Sequence, residues 1–198
     1  ILDHVRNKNC WLLADEVYHR IVYQGNASSS FLSLSEPEDK LLVVNSSSKS
    51  FNMTGWRVGW ITHPEYLGEH IAKLVQISTT GVPEFIQKGF IEALKNHEFL
   101  VQEVMKNLYV SRDFVYNKMK HWTKLKISKP ESAFYFFFKA NDAKDSICFC
   151  KKLIKKTQVG LAPGVAFGKT GDNFLRLCFA ADVKFLENIL NRLEEEFN

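Results

Sequence analysis

Short apolar runs alternate with longer amphipathic stretches along this chain, a pattern typical of proteins that combine strands with helices. Two of the runs, residues 11–14 and 41–44, are each followed at once by polar residues. We predict that both are buried strands and that a third apolar strand covers residues 57–61. Because neighbouring parallel strands end at one edge of a sheet, the polar residues that follow them are candidates for a single site.

Helical patterns occupy the middle of the chain. Pro64 and Pro83 each predict the start of a helix. Apolar positions then keep near-helical spacing from about residue 99 to residue 122. A helix of that length usually connects two bodies of a protein, so we predict that residues 1–105 belong to one domain and residues 106–198 form a second, small one.

Beyond the long helix the pattern is that of a small α+β domain. The predicted elements are a strand over residues 134–138, a helix over 143–156, a short strand over 159–162, a strand over 174–179 and an amphipathic final helix over 183–197. The predicted fold class is therefore α/β: a mainly parallel sheet with flanking helices, followed by a smaller α+β C-terminal domain.

Composition describes a folded protein and narrows its partners. The 198 residues are 45% hydrophobic and 13% aromatic, which is ample for a core. The net charge is only +4 and the basic residues are spread out, so we expect neither nucleic acid nor a membrane as a partner. The longest apolar run, residues 133–138, is far too short to cross a bilayer, and the four cysteines fit no zinc spacing. We expect a cytoplasmic protein without a metal site.

One group of residues could carry covalent chemistry. Lys49 follows the second apolar run inside a serine-rich segment, which places an amine beside hydroxyl groups that could bind an anion. A nucleotide-binding P-loop needs glycines, and residues 45–50 contain none, so that interpretation fails. The remaining groups suit an aromatic, phosphorylated aldehyde. They are one carboxylate, one phenol, two hydroxyls and two cations: Asp15, Tyr18, Ser46, Ser48, Lys49 and Arg57.

At these residues the chain resembles the class I/II aminotransferases, the fold-type I group of pyridoxal-phosphate enzymes that includes aspartate aminotransferase. The matching segments are Asp15-Glu16-Val17-Tyr18, Ser46-Ser47-Ser48-Lys49, Gly55-Trp56-Arg57-Val58-Gly59, Pro163-Gly164 with Phe167-Gly168, and Phe174-Leu175-Arg176-Leu177-Cys178-Phe179. They follow one another along essentially the whole chain. The resemblance implies the cofactor pyridoxal 5'-phosphate, a homodimer, and a chain that corresponds to the C-terminal portion of such an enzyme. In that portion, residues 1–105 would be the C-terminal part of the large cofactor-binding domain and residues 106–198 the small C-terminal domain.

The resemblance also implies a role for each residue near the cofactor ring. Lys49 would form the internal Schiff base and move the proton at the substrate α-carbon, which requires a neutral amine for part of the cycle. Asp15 would accept a hydrogen bond from the pyridine nitrogen and keep the ring cationic. Tyr18 would hydrogen-bond the phenolic oxygen. Glu16 is an adjacent competitor, but successive strand side chains point to opposite faces, so we favour Asp15.

The cofactor phosphate and the substrate α-carboxylate are two anionic groups that the protein must also bind. The resemblance implies that Ser46, Ser48 and Arg57 hold the cofactor phosphate, and strand alternation predicts that the two serines share a face. Arg176 would grip the α-carboxylate of the substrate. An arginine inside an apolar strand needs a partner, which is either such a ligand or an internal salt bridge.

The expected activity is transfer of an amino group between an L-amino acid and a 2-oxo acid, in the manner of aspartate aminotransferase. A pyridoxal-phosphate β-lyase or synthase would use the same residues, and a non-catalytic interaction module could keep them as scaffold. The sequence also opens like the middle of an α/β unit. We therefore expect an absent N-terminal region that supplies part of the site, and weak cofactor binding and poor turnover by this chain alone.

Overall fold

The structure is a computed structural model that describes every residue from Ile1 to Asn198. It divides into two compact units, Ile1–Val104 and Met105–Asn198. The boundary between them lies inside a 23-residue helix, His97–Met119. Helices and strands occur in both units, so the predicted α/β class is confirmed.

The first unit is a small sheet with helices. Its elements are α1 (Leu2–Asn7), β1 (Leu12–Asp15), β2 (Leu41–Ser46), α2 (Ser47–Ser50), β3 (Gly59–Thr62), α3 (Gly68–Thr79), α4 (Glu84–Lys95) and the first part of α5 (His97–Met119). The sheet has the order β1-β2-β3. Strands β1 and β2 are parallel and β2 and β3 are antiparallel, so the sheet of this unit is mixed rather than mainly parallel.

Position in the sheet explains which strands are buried. The central strand β2 alternates between buried and half-buried residues, with Val43 fully buried. The edge strand β1 buries only Ala14, and 62% of Leu13 is exposed. The prediction that residues 11–14 form a buried strand was therefore wrong for the face that carries Leu13. An apolar run alone does not show which face of a strand is covered.

The third strand begins two residues later than predicted. Arg57 is not in a strand, because it adopts a left-handed conformation (φ 56°, ψ 42°) after the short 3-10 turn Thr54–Trp56. Strand β3 starts at Gly59, where a Cβ atom would lie only 2.7 Å from the carbonyl oxygen of Asn45 on β2. Glycine thus allows the two strands to approach closely beside the turn.

Both helix starts predicted from proline are confirmed. Pro64 precedes a 3-10 turn that continues into α3, and Pro83 directly precedes α4. Helix α4 contributes Phe90, whose ring centroid lies 5.5 Å from that of Trp60 on β3. Phe90 belongs to a hydrophobic cluster whose buried residues are Met53, Val58, Phe90 and Ala93.

The second unit is an antiparallel sheet covered by helices. After α5 it contains β4 (Leu125–Lys126), β5 (Tyr135–Ala140), α6 (Ser146–Thr157), β6 (Ala162–Pro163), β7 (Phe174–Cys178) and α7 (Val183–Phe197). The strand order is β4-β5-β7-β6, and every pairing is antiparallel. The bounds predicted for α7 are confirmed. The predicted strand at 159–162 is shorter and later, and β4 was not predicted.

One face of this sheet forms the core. Phe136 and Phe138 of β5 and Leu175 of β7 are almost fully buried. Phe197 at the end of α7 packs edge-on against Phe138, with ring centroids 6.0 Å apart. Alternation places the other residues of β5 and β7, including Phe137 and Arg176, on the opposite and more open face.

Candidate active site

Lys49 lies in α2, a single helical turn that starts where β2 ends. Ser46 closes β2 and caps the turn, because its Oγ accepts a hydrogen bond from the backbone N–H of Ser48 at 3.1 Å. The buried Ser47 donates its hydroxyl to the carbonyl of Val58 at 3.0 Å. The lysine is therefore carried by a short turn that hydrogen bonds hold to the chain on both sides.

The two predicted phosphate-binding serines are neighbours. The Oγ atoms of Ser46 and Ser48 are 2.9 Å apart and hydrogen-bonded, while Ser47 points to the interior. The expectation that Ser46 and Ser48 share a side is thus confirmed, but the reason given for it was wrong. They meet across a helix cap, because the strand ends at Ser46 and strand alternation does not continue to Ser48.

The structure also brings Tyr18 to Lys49. The lysine Nζ lies over the tyrosine ring, 5.8 Å from its centroid, which is near the outer limit of a cation–π contact. Tyr18 sits in the turn that follows β1, and β1 runs parallel to β2 with Asp15 paired to Val44. The adjacent ends of the two parallel strands therefore place the phenol and the amine together.

Asp15 is the last residue of β1 and its side chain is exposed. One carboxylate oxygen accepts the backbone N–H of Val17 at 3.2 Å, and no cation pairs with the carboxylate. The neighbouring Glu16 is engaged instead, since its Oε1 accepts the backbone N–H of Phe31 at 2.9 Å. Of the two acids, Asp15 is the one whose carboxylate remains available to a ligand.

Arg57 is exposed and has no acidic partner. Its only hydrogen bond is from one guanidinium nitrogen to the carbonyl of Thr54, at 2.9 Å. The hydroxyl of Thr54 in turn donates to the carbonyl of Ser48 at 3.1 Å. Thr54 therefore connects the arginine with the turn that carries Ser48 and Lys49, and the positive charge of the guanidinium is not neutralised by a carboxylate.

Arg176 lies in β7 of the second unit, paired with Phe137 on one side and Ala162 on the other. It is half-buried, and it makes neither an ion pair nor a hydrogen bond. The alternative of an internal salt bridge is therefore wrong. Its guanidinium carbon lies 4.3 Å from the ring centroids of both Tyr135 and Phe167.

Those two aromatic residues were given no role from the sequence. Phe167 belongs to a segment that carried the family resemblance, and Tyr135 lies two positions before Phe137 on the same face of β5. Alternation could have placed Tyr135 beside the strand that carries Arg176. The position of Phe167 depends on a 3-10 turn that residue spacing does not reveal.

No group of three or more histidine, cysteine or acidic residues is arranged to hold a metal. None of the helices combines the length and the apolar character that a membrane span requires.

Comparison with known proteins identifies the class. The profile of the family described as aminotransferase class I and II matches residues 1–193. The chain belongs to this family, which confirms the resemblance carried by the lysine, aspartate and arginine segments.

Individual relatives agree over nearly the whole chain. An aspartate aminotransferase of Thermotoga maritima is 34% identical over 194 residues, covering 98% of this chain and 49% of that protein. Aromatic-amino-acid aminotransferase 2 of Thermococcus litoralis is 31% identical over 198 residues, covering 98% and 51%. The crystal structure of an aromatic aminotransferase from Pyrococcus horikoshii OT3 superposes with a TM-score of 0.90 at 31% identity, covering 98% of this chain and 53% of that one. The chain thus spans about half the length of the relatives it matches.

Proposed function

We propose that this chain forms part of an aminotransferase that moves an amino group between an L-amino acid and a 2-oxo acid with pyridoxal 5'-phosphate. Membership of the family supports this reaction class. The observation that carries the proposal is the position of Lys49, held on a one-turn helix beside two hydroxyls and against the ring of Tyr18.

The residues present fit the cofactor. A phosphate requires donors and positive charge, and Ser46, Ser48 and the unpaired Arg57 supply both. A protonated pyridine nitrogen requires a carboxylate, and Asp15 is exposed and without a cation. An aldehyde requires an amine, which Lys49 provides. We propose that these five residues and Tyr18 hold the cofactor.

When bound, the cofactor withdraws electrons from the α-carbon of the substrate, so that the proton there can leave. Lys49 would accept that proton on its Nζ atom and return it to complete the transfer. The ring of Tyr18 already contacts the amine of Lys49. Its hydroxyl would donate a hydrogen bond to the phenolic oxygen of the cofactor. Asp15 would keep a positive charge on the ring nitrogen by pairing with it.

Substrate orientation is the proposed task of Arg176. Its planar guanidinium matches the two oxygens of a carboxylate, and its contacts within the protein are aromatic rings rather than an acidic or hydrogen-bonding group. Fixing the α-carboxylate fixes which bond of the α-carbon is presented for cleavage, and such orientation makes a large contribution to rate. Arg176→Lys should therefore weaken the binding of the amino acid and of the 2-oxo acid alike.

Aspartate is our first candidate for the amino donor. The Thermotoga maritima relative is named as an aspartate aminotransferase. The Thermococcus litoralis and Pyrococcus horikoshii relatives are named for aromatic substrates. Aspartate and an aromatic amino acid are thus the first two substrates to compare.

A two-step spectroscopic experiment tests the reaction. The full-length protein is loaded with cofactor, and an L-amino acid is added without an acceptor; we expect the cofactor spectrum to change and a 2-oxo acid to restore it. Lys49→Ala should abolish both changes. Release of ammonia with an oxo acid would instead indicate the lyase, and an unchanged spectrum in cofactor-loaded wild-type protein would favour a non-catalytic module.

Assembly and compartment are further parts of the proposal. Apolar side chains on the helices of the first unit are strongly exposed, including Ile77 at 85% and Phe85 at 74%, and such surface suits a second subunit of a homodimer. All four cysteines are free, which suits a reducing compartment such as the cytoplasm. Sedimentation equilibrium would test the dimer: a monomer at micromolar concentration would contradict it.

A further inference from the structure

Arg176 stands out because the protein gives its charge no polar partner. It lies in β7, between β5 and β6 in the four-stranded sheet, and is only half-exposed. No carboxylate, carbonyl or hydroxyl of the protein bonds to the guanidinium. A partly buried cation is normally paired with an acid or hydrogen-bonded, so its position must be stabilised in another way.

Two aromatic rings provide that stabilisation. The guanidinium carbon is 4.3 Å from the ring centroid of Tyr135 on β5 and 4.3 Å from that of Phe167, which ends the 3-10 turn Gly164–Phe167. Both distances are well inside the range in which a cation is attracted to the face of a ring. We call Tyr135 and Phe167 the aromatic pair.

Close backbone contacts and a hydrogen bond fix the turn that carries Phe167. A Cβ atom at Gly164 would overlap the carbonyl oxygen of Gly171, and one at Gly171 would overlap the carbonyl oxygen of Gly164. The turn is also tied to α6, because the N–H of Val165 donates to the hydroxyl of Ser146 at 3.3 Å. The ring at the end of the turn is therefore held in place even though half of it is exposed.

We propose that the aromatic pair positions Arg176 for the substrate carboxylate, with Phe167 as the positioning residue that can be tested. Rings hold a guanidinium through its charge and leave all five of its N–H donors unused, whereas an acidic partner would occupy them. The cation is thus fixed in one place without a competitor for the incoming carboxylate. This inference rests on the proposed role of Arg176 and extends it to residues that need not touch the substrate.

Nuclear magnetic resonance of the arginine side chains tests the proposal directly. Ring currents shift protons above an aromatic face upfield, so the Nε–Hε signal of Arg176, assigned by its loss in Arg176→Lys, should lie upfield of that of Arg192. Arg192 is a suitable reference because it bonds to Gln158 and contacts no ring. Phe167→Leu should remove part of the upfield shift, and Phe167→Tyr should restore it.

Titration with 2-oxoglutarate, followed on the same signal, supplies the functional readout. We expect Phe167→Leu to raise the dissociation constant about fivefold, the size of one cation–π contact, and Phe167→Tyr to keep the wild-type value. Phe174→Leu is the matched control, since Phe174 stacks on Phe137 on the same face of the sheet, whereas the rings over the guanidinium of Arg176 are those of Tyr135 and Phe167. Its dissociation constant should not change.

The outcomes separate this proposal from the one on which it rests. Arg176→Lys lacks this signal, so its binding of 2-oxoglutarate is measured by calorimetry beside the wild type. If Arg176→Lys abolishes that binding while Phe167→Leu changes neither the signal nor the affinity, the aromatic pair has no positioning role and the carboxylate role of Arg176 stands. If Arg176→Lys binds 2-oxoglutarate as the wild type does, both are overturned. Equal weakening by Phe167→Leu and Phe174→Leu would show a general packing effect and would also overturn the inference.

Discussion

At the scale of single residues, the candidate site is made by side chains that the protein leaves without an opposite charge. Arg57 and Arg176 have no acidic partner, and Asp15 has no cation. Some charged groups elsewhere in the same chain are paired, as Arg20 is with Glu98 at 2.7 Å. Charged side chains without a partner in the protein are available to a ligand that carries the opposite charge.

Ser46 and Ser48 allow cofactor binding to be separated from stability. Both hydroxyls are proposed to bind the phosphate, but only Ser46 caps α2. Ser46→Ala should lower the free energy of unfolding by about 1 kcal/mol, the usual cost of losing a helix cap, whereas Ser48→Ala should change it much less. Urea denaturation measures both.

Cofactor titration of the same two variants completes the comparison. Each should bind pyridoxal 5'-phosphate more weakly than the wild type does. Weaker binding in Ser46→Ala together with wild-type affinity in Ser48→Ala would show that the loss comes from the altered turn, and would contradict a phosphate contact by Ser48.

The residues of the candidate site could be predicted from the sequence, but some of their backbone conformations and neighbouring side chains could not. The order of Asp15, Tyr18 and Lys49 after two apolar runs was enough to propose that they meet, and the contact of Lys49 with Tyr18 agrees. The left-handed conformation of Arg57 was not foreseeable, since non-glycine residues rarely adopt it. The ring of Phe167 over Arg176 depends on two turns whose backbones touch, which one sequence does not reveal.

At the scale of elements, the close approach of β2 and β3 supports the turn that carries Lys49. Gly59→Ala would place a methyl group 2.7 Å from the Asn45 carbonyl, and the strands would have to separate. We expect a loss of about 1–3 kcal/mol in the free energy of unfolding, typical of overpacking. Gly55→Ala is the matched control, because no atom lies within 4 Å of its added Cβ. Equal stability of the two variants would contradict the close approach.

A second element-level contact joins α1 to the segment before β2. Arg6 holds Asp39 through two hydrogen bonds of 2.6 and 2.7 Å, and this bonding lowers the pKa of Asp39 to about 2. The unfolded value is about 4, so the contribution of the pair to stability is complete above that pH and is lost as the pH falls toward 2. In Asp39→Asn, thermal stability should fall less steeply between about pH 4 and pH 2.

Asp3 provides the control for that pH dependence. Its carboxylate is strongly exposed and lies 3.4 Å from the same guanidinium, so its contact should be weak. Asp3→Asn should therefore keep the wild-type pH profile. If Asp39→Asn also keeps it, the pairing of Arg6 with Asp39 does not contribute to stability in acid.

Long periodic elements were predicted well and short ones poorly. The bounds of α7 agree with its apolar spacing, and Asp182 caps it through the N–H of Phe185. By contrast, β4 has only two residues and β6 has two, and no periodicity exists at that length. The burial of β1 was overestimated because the neighbours of a strand, rather than its own residues, decide which faces are covered.

At the scale of the whole molecule, the two units divide the candidate residues between them. Asp15, Lys49 and Arg57 belong to the first unit, and Arg176 belongs to the second. The chain spans about half the length of the relatives it matches. That it corresponds to their C-terminal portion, and that its first unit is part of a cofactor-binding domain, stay predictions.

The most direct test of the central proposal is the site at which the protein binds pyridoxal 5'-phosphate covalently. The protein is mixed with a half-saturating amount of the cofactor, reduced with borohydride and mapped by mass spectrometry. We expect the reduced adduct on Lys49, and in Lys49→Arg we expect no adduct on any other lysine. Lys88, exposed on α4, is a convenient internal reference for surface labelling. An adduct spread over surface lysines at similar levels, with Lys49 unmodified, would contradict the proposal.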